Sequence, residues 1–481
     1  MGSVACEALP LLCGVDDDFL FALLQLMELI LEIEQGILSG DKTVGQVLEE
    51  WLDMSLSMSE DCLQLSVSTP SKPNGLVDKA LPVMFFIHGG AFYAGTHMKM
   101  AADRFGSWED VIVVGINYRL GSFGFLCLDT NEAAGNMGML DMVVALEWVH
   151  QYIGYFGGDP ERITIFGESA GSASINHLLL SSASNGLYAR GIGQSGSALA
   201  SWAFDHDPEF HGLNIARKLG CEQSSHDEIV LCLREKPAFN ISLAFNEYRL
   251  EGREDGGLGF GGSMPCAQKR GARKFYDEAK GESPESLIFE GNFDHVPIMF
   301  GANSYEGSYV YGAVYNGFLM PNNLQEDEHF LTHELVPQLL KTVGVSNGYA
   351  IEEMIRAEYF EDWQLGNLTL MQPGIIDLLG VFFLKASSYK TVQENSKYKD
   401  SYWYSFDYKS KKKSVFHALF LENKAGVSHP GVCHADELMY LFDVKLPLVL
   451  CNLDEMMPDI NTCITEILAG QDSCLPGSEF R

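Results

Sequence analysis

The sequence predicts an α/β protein with a central, mostly parallel sheet flanked by helices. An unbroken apolar run of strand length occurs at residues 81–87, and strand-like runs occur at 111–117 and at 163–166, where every residue is β-branched or aromatic. Between the second and third runs, residues 136–155 carry apolar side chains at helical spacing. A chain that alternates strands with helices in this way is typical of a parallel sheet covered by helices. The apolar content of 46% is sufficient for a sizeable core.

A glycine–serine motif separates the strand-like run 163–166 from an apolar helical run at 175–180. The motif is Gly167-x-Ser169-x-Gly171. A nucleophilic serine has to stand clear of the backbone on a tight turn, and such a turn crowds its neighbours. Glycines two positions away on either side remove the Cβ atoms that would collide. The sequence therefore predicts that Ser169 is a nucleophile.

A second glycine motif, His88-Gly89-Gly90, directly follows the run 81–87. Glycines at the end of a buried strand allow backbone N–H groups to approach a substrate and to bind a developing oxyanion. The N–H groups of Gly89, Gly90 and Ala170 are the predicted oxyanion hole.

The partners of the serine are less well determined by the residues alone. A strand–serine–helix motif of this kind is followed along the chain by an acid and then by a histidine. Glu306 follows a strand-like run at 296–300 and is a candidate acid, among 65 Asp and Glu residues. His429 and His434 both lie in a late loop before the apolar run 438–442. Either histidine is a candidate base.

Composition excludes some functions. A net charge of −33 disfavours nucleic-acid binding. The apolar run 19–33 is too short for a membrane span and contains Glu28 and Glu32, so an amphipathic helix is expected. No signal peptide is visible, because aspartates precede this run where a signal carries positive charge. Asn240 and Asn367 begin glycosylation motifs. The oligomeric state is not indicated.

Three other patterns receive structural interpretations. Residues 257–262 match G-x-G-x-x-G, but no strand precedes them, so a loop is expected rather than a dinucleotide site. His329 and His333 have the i,i+4 spacing of metal ligands without a third ligand, so a solvated helix face is expected and no metal site. The basic run 409–413 is predicted to be a hairpin tip.

Taken together, these motifs resemble the type-B carboxylesterase and cholinesterase family, and the region around His434 is most similar to arthropod members. The resemblance covers about residues 59–443. Its motifs are Ser59-Glu60-Asp61-Cys62-Leu63, His88-Gly89-Gly90-Ala91-Phe92, Asn117-Tyr118-Arg119-Leu120-Gly121, Gly135-Asn136-x-Gly138-x-Leu140-Asp141, Gly157-Gly158-Asp159-Pro160, Phe166–Gly171, Gln194-Ser195-Gly196-Ser197, Glu306-Gly307-Ser308-Tyr309 and Gly431-Val432-Cys433-His434-Ala435-Asp436-Glu437-Leu438.

The resemblance implies an α/β-hydrolase fold and a serine carboxylesterase that acts on small carboxylic esters through an acyl-enzyme. It implies Ser169 as nucleophile, Glu306 as acid and His434 as base, with no metal or cofactor. It also implies a disulfide between Cys221 and Cys232 and a place in the secretory pathway.

The domain expected from this resemblance is 59–457. It is preceded by a divergent, helical segment at 1–58 and followed by a divergent or truncated tail at 458–481. Because both ends differ from the family pattern, we hypothesise a variant transcript or an incomplete gene model. The partner of Cys62 is open, with Cys6 and Cys13 as candidates. The alternative functions are a non-catalytic cholinesterase-like adhesion or binding protein and an inactive truncated variant.

Overall fold

The structure is a computed structural model that describes residues 59–70, 80–97, 100–101, 111–254, 256–257, 259, 261–344, 349–409 and 431–444. From Glu60 onward these residues belong to one unit. The segments expected at 1–58 and 458–481, the hairpin tip beyond Lys409, and His429 lie outside the described residues.

The strand-like runs at 81–87, 111–117, 163–166 and 296–300 all form strands, with shifted ends, and further strands are present. The described strands are β1 (Leu65–Ser68), β2 (Leu81–Ile87), β3 (Met100–Ala101), β4 (Ile112–Ile116), β5 (Gly158–Glu168), β6 (Arg190–Gln194), β7 (Ile298–Asn303), β8 (Ser401–Phe406) and β9 (Asp443–Val444). Seven of them form one sheet in the order β1-β4-β2-β5-β6-β7-β8, and β3 pairs with β9.

The main sheet is mostly parallel, as predicted. Strand β1 runs antiparallel to β4, with Leu65 opposite Ile116. Every other neighbouring pair of described strands in this sheet is parallel. Parallel neighbours need crossover connections, and described helices lie in the connections from β4 to β5, β5 to β6, β6 to β7 and β7 to β8.

The helices cover both faces of this sheet. The described α-helices are α1 (Gly121–Phe125), α2 (Met137–Tyr152), α3 (Ala170–Leu180), α4 (Pro208–Lys218), α5 (His226–Arg234), α6 (Ala238–Glu254), α7 (Pro284–Glu290), α8 (Gly307–Val314), α9 (Glu328–His333), α10 (Leu335–Thr342), α11 (Tyr349–Tyr359), α12 (Leu368–Gly380), α13 (Ala386–Asn395) and α14 (Leu438–Leu441).

Strand β2 shows why the central strands are apolar without interruption. Val83, Phe85 and Ile87 pack into one hydrophobic cluster. Met84 and Phe86, which alternate with them, pack into a second cluster on the other face. Because successive side chains of a strand point to opposite faces, a strand covered on both sides has to be apolar at every position.

Helix α2 forms where expected. Its buried face, however, is not the apolar stripe at four-residue steps in the sequence, which consists of Leu140, Val144, Trp148 and Tyr152. Met139, Leu146 and Val149 are among its fully buried residues, whereas Val144 is 55% exposed. Helix α3 has no exposed face, since all eleven of its residues are buried. A helix between a sheet and further helices loses the periodicity that marks a surface helix.

One described helical segment, Leu368–Asn395, is long and apolar enough to cross a membrane, with a mean hydropathy of 1.4 over its most apolar stretch. Half of that stretch is buried inside the protein. Length and composition of this kind are shared by core helices, so they are weak evidence for a membrane span.

Helix α8 packs so closely on α12 that a Cβ at Gly307 would lie 1.8 Å from the backbone oxygen of Ile376. We expect Gly307→Ala to destabilise the protein by about 3 kcal/mol, because the two helices would have to separate. The measurement is the thermal unfolding midpoint. Gly154→Ala is the matched control, since nothing lies within 4 Å of the added Cβ. Equal midpoints for the two variants would contradict this packing.

Candidate active site

Residues that follow four neighbouring strands, among them the predicted Ser169 and Glu306, lie at one edge of the main sheet. His88 follows β2, Ser169 follows β5, Ser195 follows β6, and Glu306 lies three residues after β7. These four strands are parallel neighbours, so their carboxyl ends share an edge. That edge is where open α/β sheets bind their ligands.

Ser169 lies on a strained turn between β5 and α3. Its backbone has φ 59° and ψ −121°, a conformation that costs energy in a residue other than glycine. The flanking glycines permit the turn for the predicted reason. A Cβ at Gly167 would lie 2.6 Å from the Ile87 oxygen, and one at Gly171 would lie 2.1 Å from the same atom. The turn at residues 167–171, called the serine elbow below, therefore packs closely against the end of β2.

The predicted oxyanion loop lies against the serine. A Cβ at Gly89 would be 2.7 Å from the Glu168 backbone oxygen and 3.0 Å from Ser169 Cβ. Gly90 has φ 111°, and a Cβ there would be 2.1 Å from the Ala94 oxygen. Among the described residues, no group accepts a hydrogen bond from the N–H of Gly89, Gly90 or Ala170. All three donors are available to a ligand.

Two hydrogen bonds on the far side of this loop set the direction of its donors. The Tyr118 hydroxyl donates to His88 O at 3.0 Å, and His88 Nδ1 lies 2.7 Å from Gly89 O. Burial lowers the pKa of His88 to about 4, so the ring is neutral and Nδ1 carries the donated proton. In a trans peptide the C=O and the following N–H point in opposite directions. The hydrogen bonds to the carbonyls of His88 and Gly89 therefore point the following N–H groups, those of Gly89 and Gly90, away from Tyr118 and the His88 ring.

Glu306 and His434 form a buried pair. His434 Nδ1 donates to Glu306 Oε2 at 2.7 Å. The other carboxylate oxygen of Glu306 accepts from the backbone N–H of Asn303 at 2.7 Å and from the Ser195 hydroxyl. Glu306 is fully buried and His434 is 5% exposed. These contacts fix the carboxylate in one orientation, which in turn fixes the imidazole.

The second nitrogen of His434 faces another carboxylate. Nε2 lies 3.2 Å from Oε1 of Glu168, the residue just before Ser169. The described residues include no hydrogen-bond partner for Ser169 Oγ. In this arrangement the imidazole therefore lies between Glu306 and Glu168, beside the serine elbow.

Charge governs the protonation of this histidine. Burial by itself lowers the pKa of His434, but the negative charges of Glu168 and Glu306 outweigh burial and raise it to about 9. Burial raises the pKa of Glu168 above its usual range, against the effect of the His434 charge. Each group of this pair therefore stabilises the charged form of the other.

A third buried carboxylate, Glu437, lies beneath the pair and was not predicted. It accepts from Asn303 Nδ2 at 2.5 Å and from Gln194 Nε2 at 3.3 Å. Burial, followed by the charges of Glu168 and Glu306, raises its pKa to about 8. The sequence offered one signal for Asn303 and Gln194, because both are polar residues that end apolar strands at the edge where the site lies.

His434 is held at this edge by the residues that follow it. Leu438 and Phe442 pack on the second face of the sheet, where the Phe442 ring lies 4.6 Å from that of Phe86. The Tyr309 ring stacks on the imidazole with centroids 5.3 Å apart. The short helix α14 thus anchors the histidine to the sheet, although the chain reaches this point more than a hundred residues after Glu306.

The remaining predicted residues lie away from this edge. The structure contains the Cys221–Cys232 disulfide. Asn240 and Asn367 are exposed, on α6 and at the N-cap of α12. His329 and His333 are exposed on α9, and the described residues include no cluster of three or more metal-ligating side chains. Residues 257, 259 and 261–262, the described part of the G-x-G-x-x-G segment, belong to a loop after α6.

A parallel sheet with a strained serine after β5 and a buried histidine–carboxylate pair at the same edge defines an α/β-hydrolase. The carboxylesterase family model matches residues 37–457, most of the chain. The chain therefore belongs to the carboxylesterase family and is an enzyme of the carboxylesterase class.

Individual relatives agree with this assignment. A carboxylic ester hydrolase of Bombus ignitus is 34% identical over 418 residues, which cover 85% of this chain and 68% of the relative. Rat liver carboxylesterase B-1 is 36% identical over 56% of this chain and 47% of its own length. Human neuroligin-2 is 40% identical over 38% of this chain and 24% of its own length. The chain thus spans less than half of the latter two relatives.

Proposed function

We propose that this protein is a serine carboxylic-ester hydrolase in which Ser169 is the nucleophile, His434 the base and Glu306 the acid. The observation that carries the proposal is the 2.7 Å hydrogen bond between buried Glu306 and His434 beside the strained Ser169 turn. A carboxylate in this position selects the imidazole tautomer with a free Nε2 and stabilises the imidazolium that forms.

The proposed reaction uses only side chains and backbone groups of this chain. His434 Nε2 takes the proton of Ser169 Oγ as the oxygen attacks the ester carbonyl. The N–H groups of Gly89, Gly90 and Ala170 stabilise the tetrahedral oxyanion, an effect worth about 2.7–4 kcal/mol for a single donor. His434 then protonates the leaving alcohol, and water hydrolyses the acyl-enzyme through the same steps. No metal or cofactor takes part.

Covalent labelling tests the proposed nucleophile. An organophosphate is expected to phosphorylate Ser169 stoichiometrically, because it mimics the ester and its adduct with serine is stable. Mass spectrometry of the peptide that contains residues 163–180 is the measurement, with the Ser169→Ala variant as the unlabelled control. Labelling at another residue, or none in a folded sample, would reject the assignment.

The pH dependence tests the proposed base. Activity requires neutral His434, so kcat/KM is expected to rise with pH through the pKa of this residue, about 9. Glu168→Gln removes a negative charge 3.2 Å from Nε2. The imidazolium then loses stabilisation, and the acidic limb of the profile moves down by about one pH unit. Glu161→Gln, at an exposed position, is the matched control; an unchanged or higher midpoint for Glu168→Gln would contradict the charge coupling.

A second candidate function is a non-catalytic adhesion or binding role. The contact of His434 Nε2 with Glu168 favours it, as does the absence of a hydrogen-bond partner for Ser169 Oγ among the residues that the structure describes. The similarity to neuroligin-2 over part of the chain fits it as well. The labelling experiment separates the two functions, since a non-catalytic protein has no activated serine to phosphorylate.

The substrate class that we propose is small carboxylic esters. The match to the carboxylesterase family and the similarity to a carboxylic ester hydrolase support this class. Kinetics with a panel of esters that vary the acyl and the alcohol groups separately is the measurement of preference.

We also propose the secretory pathway as the location. The Cys221–Cys232 disulfide and the exposed Asn240 and Asn367 support it. The glycan is expected on the Asn367 Nδ2 atom, which leaves Oδ1 free to cap α12 through its bond from Leu370 N. A mass decrease on treatment with a peptide N-glycosidase is the test, and protein without glycan from a secretory host would contradict it.

A further inference from the structure

Two buried cysteines that the proposed reaction does not use lie side by side. Cys127 is 3% exposed and Cys266 is fully buried. The position that a Cβ on Gly135 would take is 2.6 Å from Cys266 Sγ and 3.0 Å from Cys127 Sγ. Cys127 Sγ donates to Ala134 O at 3.4 Å, and the interaction with Cys127 raises the pKa of the Cys266 thiol. Both sulfur atoms thus border the same small space, which only a glycine at 135 leaves open.

The backbone around the pair is held by buried hydrogen bonds. Asn136 Nδ2 donates to Cys266 O at 2.7 Å, and Cys266 N donates to Asn136 Oδ1 at 2.9 Å. Gln268 Nε2 donates to Gly135 O at 3.0 Å, and Cys127 forms a β-bridge with Ala134. The segments that carry the two thiols are therefore fixed in register by groups other than the thiols.

We propose that Cys127 and Cys266 are joined by a second disulfide in the mature protein. Cys221–Cys232 indicates an oxidising compartment, where thiols in contact become disulfides. The oxidant is a small-molecule disulfide such as oxidised glutathione. One cysteine thiolate attacks it and expels one small thiol; the second thiolate then displaces the other. Two protons and two electrons leave the cysteines, and the small disulfide is reduced to two thiols.

This cross-link forms during folding rather than afterwards. The hydrogen bond to Cys127, followed by burial, raises the pKa of Cys266 well above its usual range. The thiolate is the reactive species, so the folded thiol pair exchanges slowly. The same burial protects the disulfide from reduction once it has formed.

The disulfide joins distant parts of the chain. Next to Cys127, Leu128 and Ala133 pack in a cluster with Cys221. On the other side, Pro265 O accepts from Asp205 N in the segment between β6 and α4. The Cys127–Cys266 disulfide therefore joins the segment that leads into α2 to the segment after α6, beside the cluster that contains Cys221.

Peptide mapping of the full chain from a secretory host is the first test. Protein is alkylated with iodoacetamide in denaturant without reductant, and only preparations with an intact Cys221–Cys232 link are analysed. That link is the internal control for oxidising conditions. We expect Cys127 and Cys266 in one cross-linked peptide pair that separates on reduction. Alkylation of both cysteines would overturn the proposal.

Stability of variants is the second test. Cys127→Ala and Cys266→Ala are each expected to lower the unfolding midpoint by several degrees, and the double variant to lower it hardly further, because either change removes the same bond. If the two thiols act only as separate packing groups, the shifts will add, which would overturn the proposal. Esterase activity at 25 °C is not used as a readout, so the outcome is independent of the proposed function.

Discussion

Replacing Ser169 by alanine is expected to lower kcat for an aryl ester by about 10⁶-fold, or about 8 kcal/mol of transition-state stabilisation. The variant loses the attacking oxygen but keeps the serine elbow, since alanine has the same Cβ as serine. The free N–H groups of Gly89, Gly90 and Ala170 remain. Some acceleration over water is therefore expected to persist. Single-turnover and steady-state assays with the purified protein are the measurement.

Ser174→Ala is the matched control for this variant. Ser174 lies one turn further along α3, is fully buried, and donates its hydroxyl to Ala170 O at 2.7 Å. Its removal costs about 1 kcal/mol of stability and is expected to leave kcat within tenfold. Similar activity in Ser169→Ala and Ser174→Ala, with both proteins folded, would rule out Ser169 as the nucleophile.

Replacing Glu306 by glutamine is expected to lower kcat by about 10⁴-fold. The amide has the size of the carboxylate but lacks its charge, so the imidazolium at His434 is no longer stabilised. Its NH₂ group also conflicts with a donor, because both carboxylate oxygens now accept hydrogen bonds, from His434 Nδ1, Asn303 N and Ser195 Oγ. The imidazole either turns or takes the other tautomer. The measurement is kcat/KM across pH.

Glu437→Gln is the matched control, since it neutralises another fully paired carboxylate of the same pocket. Glu437 accepts from Asn303 and Gln194 and does not touch His434 among the described contacts. We expect less than a tenfold loss of kcat, because the partners of Glu437 are Asn303 and Gln194 and it does not orient the imidazole. A loss as large as that of Glu306→Gln would show that total charge, and not the specific contact with Nδ1, determines the activity.

The sheet and the serine turn were predictable because both depend on residues that are close together in the sequence. An apolar run such as 81–87 has few alternatives to a buried strand, and β2 occupies it. Glycines at 167 and 171 permit the strained backbone of Ser169. The buried face of α2 was harder to predict, since a helix enclosed by other elements is apolar on several sides.

The partners of the serine depend on residues far apart in the sequence. Local pattern left His429 and His434 as equal candidates, and only the resemblance to a family chose between them. The hydrogen bond from His434 to Glu306 exists because α14 packs on one face of the sheet while β7 ends at its edge. Ser195 and Glu437 occur in motifs of the resemblance, but no pattern gave either of them a role in the site, and their contacts also depend on that packing.

By itself, the sequence determined the α/β class, the strand-like runs and the turn that exposes Ser169, because each is set by steric and hydrophobic preferences over a few neighbouring residues. Only the tertiary structure decided which charges surround His434 and which thiols meet at Cys127 and Cys266. Such contacts join segments more than a hundred residues apart, and their geometry follows from how helices and strands pack, which short-range preferences do not specify.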